Sequence, residues 1–237
     1  MTPDRLSHFR LAWRLLRRDW RAGELRILLS ALIIAVTATT AISFFTDRLQ
    51  QAMVEQSSEL MGADLQLTAP REVAPTWLEQ AEELGLAHTT LLEFPSVVVA
   101  GDAFQLGGIR AVGDAFPLRG SLRTAERPYG EESETHAIPA AGEAWVEARL
   151  LPLLGIDMGD TLELGSLALT VTRVLTFEPG GNANFASLAP RVLINYRDVA
   201  RADVVRPGSR VRYQYDFAGE AAALERYKAW LEPQLEP

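Results

Sequence analysis

Ile27 to Phe45 reads ILLSALIIAVTATTAISFF, nineteen residues without a charge, bounded by Arg26 and Asp47. As an α-helix rising about 1.5 Å per residue it reaches about 28 Å, enough to cross the hydrocarbon core of a bilayer. Whatever follows must fold behind that anchor. The polar side chains inside the run, Ser30, Thr37, Thr39, Thr40 and Ser43, are all hydroxyls, which bond back to helix carbonyls and cost little in lipid. The buried helix of a soluble protein would instead show a polar stripe. A cleaved signal peptide is the competing reading, with Ala38 to Ala41 loosely imitating a cleavage site, but its apolar core and its head would both be shorter. Ser30, Ala31, Ala35, Ala38, Thr39 and Ala41 also form a small-residue surface that admits a neighbouring helix at close range.

Charge orients the span. Met1 to Arg26 holds seven arginines against Asp4, Asp19 and Glu24, whereas Arg48 alone follows within some twenty residues. The positive-inside rule therefore puts the N-terminus in the cytoplasm and the residues after about 47 outside, in the periplasm of a Gram-negative cell. Leu6, Phe9, Trp13, Leu16 and Trp20 recur at spacings of three and four, and Arg10, Arg14, Arg17, Arg18 and Arg21 occupy the other faces. That pattern predicts an interfacial helix, with Phe9, Trp13, Trp20, Arg14, Arg17, Arg18 and Arg21 at the membrane surface. A soluble amphipathic helix packed on a core is the plainer alternative.

The head is positive, so the net charge of −8 belongs entirely to the rest of the chain. An acidic body offers little to nucleic acid, whose phosphates need clustered Lys and Arg. The absence of cysteine removes disulfides, thiolate nucleophiles and Cys-rich zinc sites, and fits either redox compartment.

Beyond the span, Leu49, Met53, Glu55 and Leu60 predict that the helix continues as a stalk to Gly62. A strand over Ala63–Thr68 follows, then a helix opened by Pro75 and closed by Gly85. Two longer strands come next, Leu91–Ala100 and Phe104–Val112, turning at Gly101-Asp102. Strand, helix and hairpin form half of a split βαβ arrangement. Ser209–Phe217 and Gly219–Leu231 supply only the strand and helix of the other half, so the chain is expected to be the N-terminal fragment of something longer. Residues 114–204 look like a separate module: a flexible acidic stretch Arg127–His136, a short helix near Glu147–Leu154, and a hairpin through Leu162, Leu164, Leu167, Leu169 and Val171 turning at Gly165-Ser166. Arg191–Asn195 reads as a further strand and Arg197–Ala202 as a short turn or helix.

Chemistry is harder to find. His8, His88 and His136 fall in separate segments, against a shared metal site. There is no G-x-S-x-G elbow, no H-E-x-x-H and no Walker A loop. Asp157 and Asp160 in LGIDMGDTL sit among turn glycines and read as turn residues bonding backbone amides. Gly180, Gly181, Asn182 and Asn184 in EPGGNANF could cradle an anion, but no helix start follows to align amides. A mobile loop serving as a periplasmic contact is the preferred reading.

Six segments together resemble FtsX/MacB-type ABC transporter permeases, in particular the YbbP-like branch. They are RRDWRAGELRILLSALIIAV (17–36), GADLQLTAP (62–70), FPLRGSLR (116–123), GEAWVEARLLPLLGIDMGDTLELG (142–165), LAPRVLINYRDV (188–199) and PGSRVRYQYDFAG (207–219). The resemblance implies an α+β fold: an interfacial helix, one transmembrane helix, and a MacB-like periplasmic core domain in which a split βαβ porter-like part holds an inserted β-rich subdomain. The division then runs 1–26, 27–46, 47–62, 63–113, 114–204 and 205–237, stopping before the later membrane helices. It implies mechanotransmission, in which a cytoplasmic ATPase partner binds and hydrolyses ATP and the periplasmic domains move, so no cofactor is expected on this chain. A periplasmic lipase or thioesterase partner and lipid-like cargo are further implications. The EPGGNANF loop departs from the family by lacking an Asp-Arg pair after the proline. Two other classes stay open: a singly anchored periplasmic sensor or binding module, and an anchored hydrolase, for which no nucleophile is evident.

Overall fold

The computed structural model describes Trp13 and residues 23–181, 189–206 and 208–235. The expected interfacial helix, Trp13 apart, lies outside the described residues, as do Asn182 and Asn184. The chain divides into two compact units, residues 1–55 and 56–237.

A single helix, α1, runs unbroken over Glu24–Met61. Its 38 residues correspond to about 57 Å. Arg26–Gln50 is long and apolar enough to cross a membrane, and none of its most apolar stretch is buried by protein. The hydroxyls behave as a lipid environment demands: Ser30 donates to the Ile27 carbonyl, Thr39 to Ala35 and Thr46 to Ile42, each at 2.9 Å.

In the second unit β1 (Leu65–Ala69) is followed by α2 (Pro75–Glu83) and the hairpin β2 (Ala87–Ala100) and β3 (Ala103–Val112). Near the end of the chain come β10 (Arg212–Ala218) and α5 (Ala221–Leu231). β10 inserts antiparallel between β1 and β2, the strand order of a split βαβ sheet. Tyr215 and Phe217 point from β10 to the helices and pack with Ala81, Ala223, Tyr227 and Leu231. Phe217 and Tyr227 meet at a tilt of 47° with ring centroids 4.8 Å apart, and the Tyr227 hydroxyl donates to the Trp77 carbonyl at 3.0 Å, which pins α5 to α2.

Between β3 and β10 lie β4 (Leu122–Ala125), β5 (Glu132–Thr135), β6 (Glu143–Val146), α3 (Leu150–Leu154), β7 (Thr161–Leu164), β8 (Leu167–Phe177), β9 (Arg191–Asn195) and α4 (Val199–Ala202). These residues do not make a free-standing sheet. β9 pairs parallel with β3 and β7 pairs antiparallel with β2, so the pairing closes a ring β2, β3, β9, β6, β8, β7 and back to β2. Alternate residues along these strands enter the ring, with the period broken by a bulge in β8 between Val171 and Val174, and Val98, Ile109, Val146, Leu162, Leu169, Val171, Val192 and Ile194 fill it. The β2–β3 hairpin is long because it serves the split sheet at one end and the barrel at the other. The stretch expected to be flexible, Arg127–His136, contains β5, which pairs with β4 through Leu122–Thr135 to Ala125–Glu132. ESET has no apolar side chain to signal a strand; the neighbour's backbone supplies the order.

Candidate functional site

The last four carbonyls of a helix have no partner inside it. At the end of α1 three separate segments supply partners. The Gly180 amide donates to the Leu60 carbonyl at 2.8 Å, Gln66 Nε2 of β1 donates to Met61 at 2.8 Å, and the Arg119 amide donates to Gly62 at 2.9 Å. Pro179, Phe116 and Pro117 crowd around Gly62. The helix end is thus held chiefly through its main chain.

Two glycines make this approach possible. A Cβ at Gly120 would lie 2.6 Å from the carbonyl oxygen of Glu59, and one at Gly180 would lie 2.9 Å from that of Met61. Both have φ near +70°, at +69° and +71°, so any other residue is excluded by contact and by conformation together.

A clip of ions surrounds the helix end. Arg119 forks onto Asp64, Nε at 3.1 Å from both oxygens and Nη2 at 2.8 Å, and the Gly219 amide donates to the same carboxylate at 3.1 Å. Burial alone would raise the Asp64 carboxyl. The Arg119 fork, the Gly219 amide and Ser58 outweigh it and hold the group below the ordinary aspartate range.

Beneath the helix end lies a charged floor. Arg110 of β3 is 5% exposed. Its Nη1 donates to the Pro179 carbonyl at 3.2 Å and sits 2.8 Å from Glu178, its Nε is 3.3 Å from Glu93 of β2, and its guanidinium covers the Phe116 ring at 5.4 Å. Glu178 is 1% exposed and also faces Arg191 of β9 at 3.8 Å. Arg191 in turn grips Glu147 at 2.6 Å. Asp216 of β10, fully buried, accepts from Gln214 at 2.8 Å. Gln66 of β1 stands directly opposite Asp216 in the β1–β10 pairing, so the residue that caps Met61 is also a neighbour of the floor. Burial pushes Asp216 up to about 6, against the pull of Gln214 and Arg110, with Glu93 adding to the rise. Burial likewise pushes Glu178 up, against Arg110 and Arg191. The Arg110–Glu178 contact is ionic and off-axis, and Glu178, Asp216, Arg110 and Arg191 each keep a buried polar atom without an aligned hydrogen bond. Such a floor is costly to bury and easily rearranged.

Of the residues singled out in the sequence, Gly180 and Gly181 fall in this joint, where Gly180 meets the chain's own helix. Trp13 is 62% exposed. Phe9, Trp20, Arg14, Arg17, Arg18 and Arg21, like Asn182 and Asn184, lie outside the described residues. Asp160 accepts from the Asp157 amide at 2.9 Å, a turn contact of the kind expected there. Among the described residues no three His, Asp or Glu side chains gather to hold a metal ion. Sequence reading missed Arg110, Glu178, Asp216 and Glu93. Their signal was present: each of the strand residues is a lone charge in an apolar run, as in LLEFP, GGIRAV and QYDFA. The arrangement has no nucleophile paired with a base. What it offers is a tight mechanical link set on a titratable base.

Comparison with known proteins gives four findings. The model of the MacB-like periplasmic core domain matches residues 27–226. An uncharacterised ABC transporter permease, YbbP, of Escherichia coli (strain K12) is 37% identical over 220 residues, which cover 93% of this chain and 26% of that protein. The chain thus spans about a quarter of that relative's length. Among solved structures, the periplasmic region of MacB from Actinobacillus actinomycetemcomitans aligns with TM-score 0.44 and 9% identity, covering 73% of this chain and 86% of that one. A domain of a putative permease from Porphyromonas gingivalis aligns with TM-score 0.39 and 11% identity, covering 63% of this chain and 70% of that one.

Proposed function

We propose, from the premise that this chain belongs to the MacB-like periplasmic core domain family, that it forms the first membrane helix and the periplasmic domain of an ABC transporter permease. The observation that carries the reading is the end of α1. A helix of membrane-crossing length runs unbroken into a joint where Leu60, Met61 and Gly62 are each bound by a different part of the folded domain. A shift of that helix along or about its axis must move Gly180, Gln66 and Arg119 with it. The chain is a transmitter of motion and takes no part in catalysis. ATP is bound and hydrolysed by a separate cytoplasmic subunit.

The topology that goes with this reading has the N-terminus in the cytoplasm and the residues after about 47 in the periplasm, with the helix in the inner membrane. Lipid-like or hydrophobic cargo, and a periplasmic lipase or thioesterase acting beside the domain, complete the proposal and rest on family likeness.

The test uses the full-length permease carrying Gly120→Val. The variant is expected to copurify with its ATPase and to keep basal ATP hydrolysis, while cargo-dependent stimulation falls at least tenfold. Stimulation at the parent level in a variant that retains its fold would remove the joint from the coupling path.

A further inference from the structure

Glu178 is the last side chain before the Pro179-Gly180 turn, and it lies between two guanidiniums. Arg110 is 2.8 Å from one carboxylate oxygen and Arg191 3.8 Å from the other. Arg110 also donates to the Pro179 carbonyl, so the residue that holds the turn is itself held by Glu178. The turn's next amide, that of Gly180, is the one that caps Leu60. A chain of four contacts therefore runs from Arg191 through Glu178, Arg110 and the turn to the end of α1.

We propose that Glu178 is a proton-operated latch on this joint: ionised, it holds Arg110 and Arg191 together and keeps the turn on α1, and protonated, it lets the two guanidiniums part and releases the turn.

The electrostatics run in that direction. The other charged groups of the floor are Glu93 on β2, Arg212 and Asp216 on β10, and Glu147 and Arg149 after β6. Glu93 is shared by Arg110 and Arg212, and Glu147 is shared by Arg191 and Arg149. Among the described residues, Glu178 alone pairs with both Arg110 and Arg191. Neutralising it removes the carboxylate the two guanidiniums share and leaves their mutual repulsion offset only by Glu93 and Glu147. Burial of Glu178 favours proton uptake at less acidic pH than for an exposed glutamate. Because the periplasm follows the external medium, a latch placed there would report acidification to the membrane helix. This regulation rests on the reading that the joint transmits motion.

The chain has no cysteine, so labels can be placed without background. Spin labels at Ser57→Cys, near the helix end, and Glu163→Cys, on β7, are both at exposed positions. In lipid nanodiscs the distance between them is expected to be single and narrow at pH 8, with a second population rising to at least a third of the total by pH 5. Glu178→Gln should show that population already at pH 8 and lose the titration, and Asp216→Asn should keep it. Arg191→Gln, which removes one of the repelling charges, should cut the acid-induced population at least threefold. A distribution unchanged down to pH 5 while circular dichroism is retained would overturn the latch, as would an Arg191→Gln protein that opens like its parent. The measurement uses neither nucleotide nor partner subunit, so its failure leaves the transmission reading standing and the converse failure leaves the latch.

Discussion

Asp64, just before β1, and Asp216, on the neighbouring strand β10, titrate with opposite consequences. Asp64 is held below its unfolded value, so it contributes stability that is present above the unfolded pKa and lost as pH falls through the folded one. Asp216 is raised to about 6, so the folded state takes up its proton first and stability is lost as pH rises from about 4 to about 6. In the limit that loss is about 3 kcal/mol. Asp216→Asn keeps an acceptor for Gln214 and removes the charge. Urea melts at pH 4 and pH 8 should show the variant gaining clearly more on its parent at pH 8 than at pH 4; an equal gain at both would place the effect outside titration. Arg119→Gln removes the first of the groups that lower Asp64, and its carboxyl carbon, followed by NMR, should titrate at higher pH than in the parent. Gly120→Val places a branched side chain against the Glu59 carbonyl at positive φ and is expected to cost ~2–4 kcal/mol, measured by thermal or urea unfolding.

At the scale of elements, the two ends of the β2–β3 hairpin answer to different cores. Phe217→Ala empties the contact with Tyr227 in the helix-covered core and should cost about 3–5 kcal/mol by urea melts. If the barrel and the split sheet unfold as one unit, fluorescence of Trp77 and of Trp145 will report the same midpoint. Elements with strong periodicity or a clear stop were legible in the sequence: α1 by its uncharged run, α2 by Pro75 and Gly85, β7 and β8 by alternating leucines around Gly165. β4, β5 and β6 were not. They are four residues each, and EAWV sits in a stretch whose later leucines favour helix, so only partner strands could reveal them. The joint was hidden for a related reason. FPLRGSLR and GADLQLTAP were singled out as motifs, yet Glu93, Arg110, Glu178 and Asp216 are far apart in the chain. They meet only because β10 pairs with β2, β2 pairs with β3, and the ring of strands brings the end of β8 to Arg110 of β3.

For the whole molecule, the barrel and split sheet share strands, so a displacement imposed at one joint reaches both. Buried charge beneath such a joint is costly to desolvate, so a change in its pairing bears directly on the joint's stability. The most direct test of the central claim is a distance measurement on the full-length permease, reconstituted in nanodiscs with the ATPase subunit proposed for it, with spin labels at Glu163→Cys on the barrels of two permease copies or on the barrel and a rigid external reference. ATP with vanadate is predicted to shift the barrel label relative to the nucleotide-free state, and Gly180→Val is predicted to abolish the shift while ATP hydrolysis continues. An identical distance distribution with and without nucleotide, in a complex that hydrolyses ATP, would contradict the account.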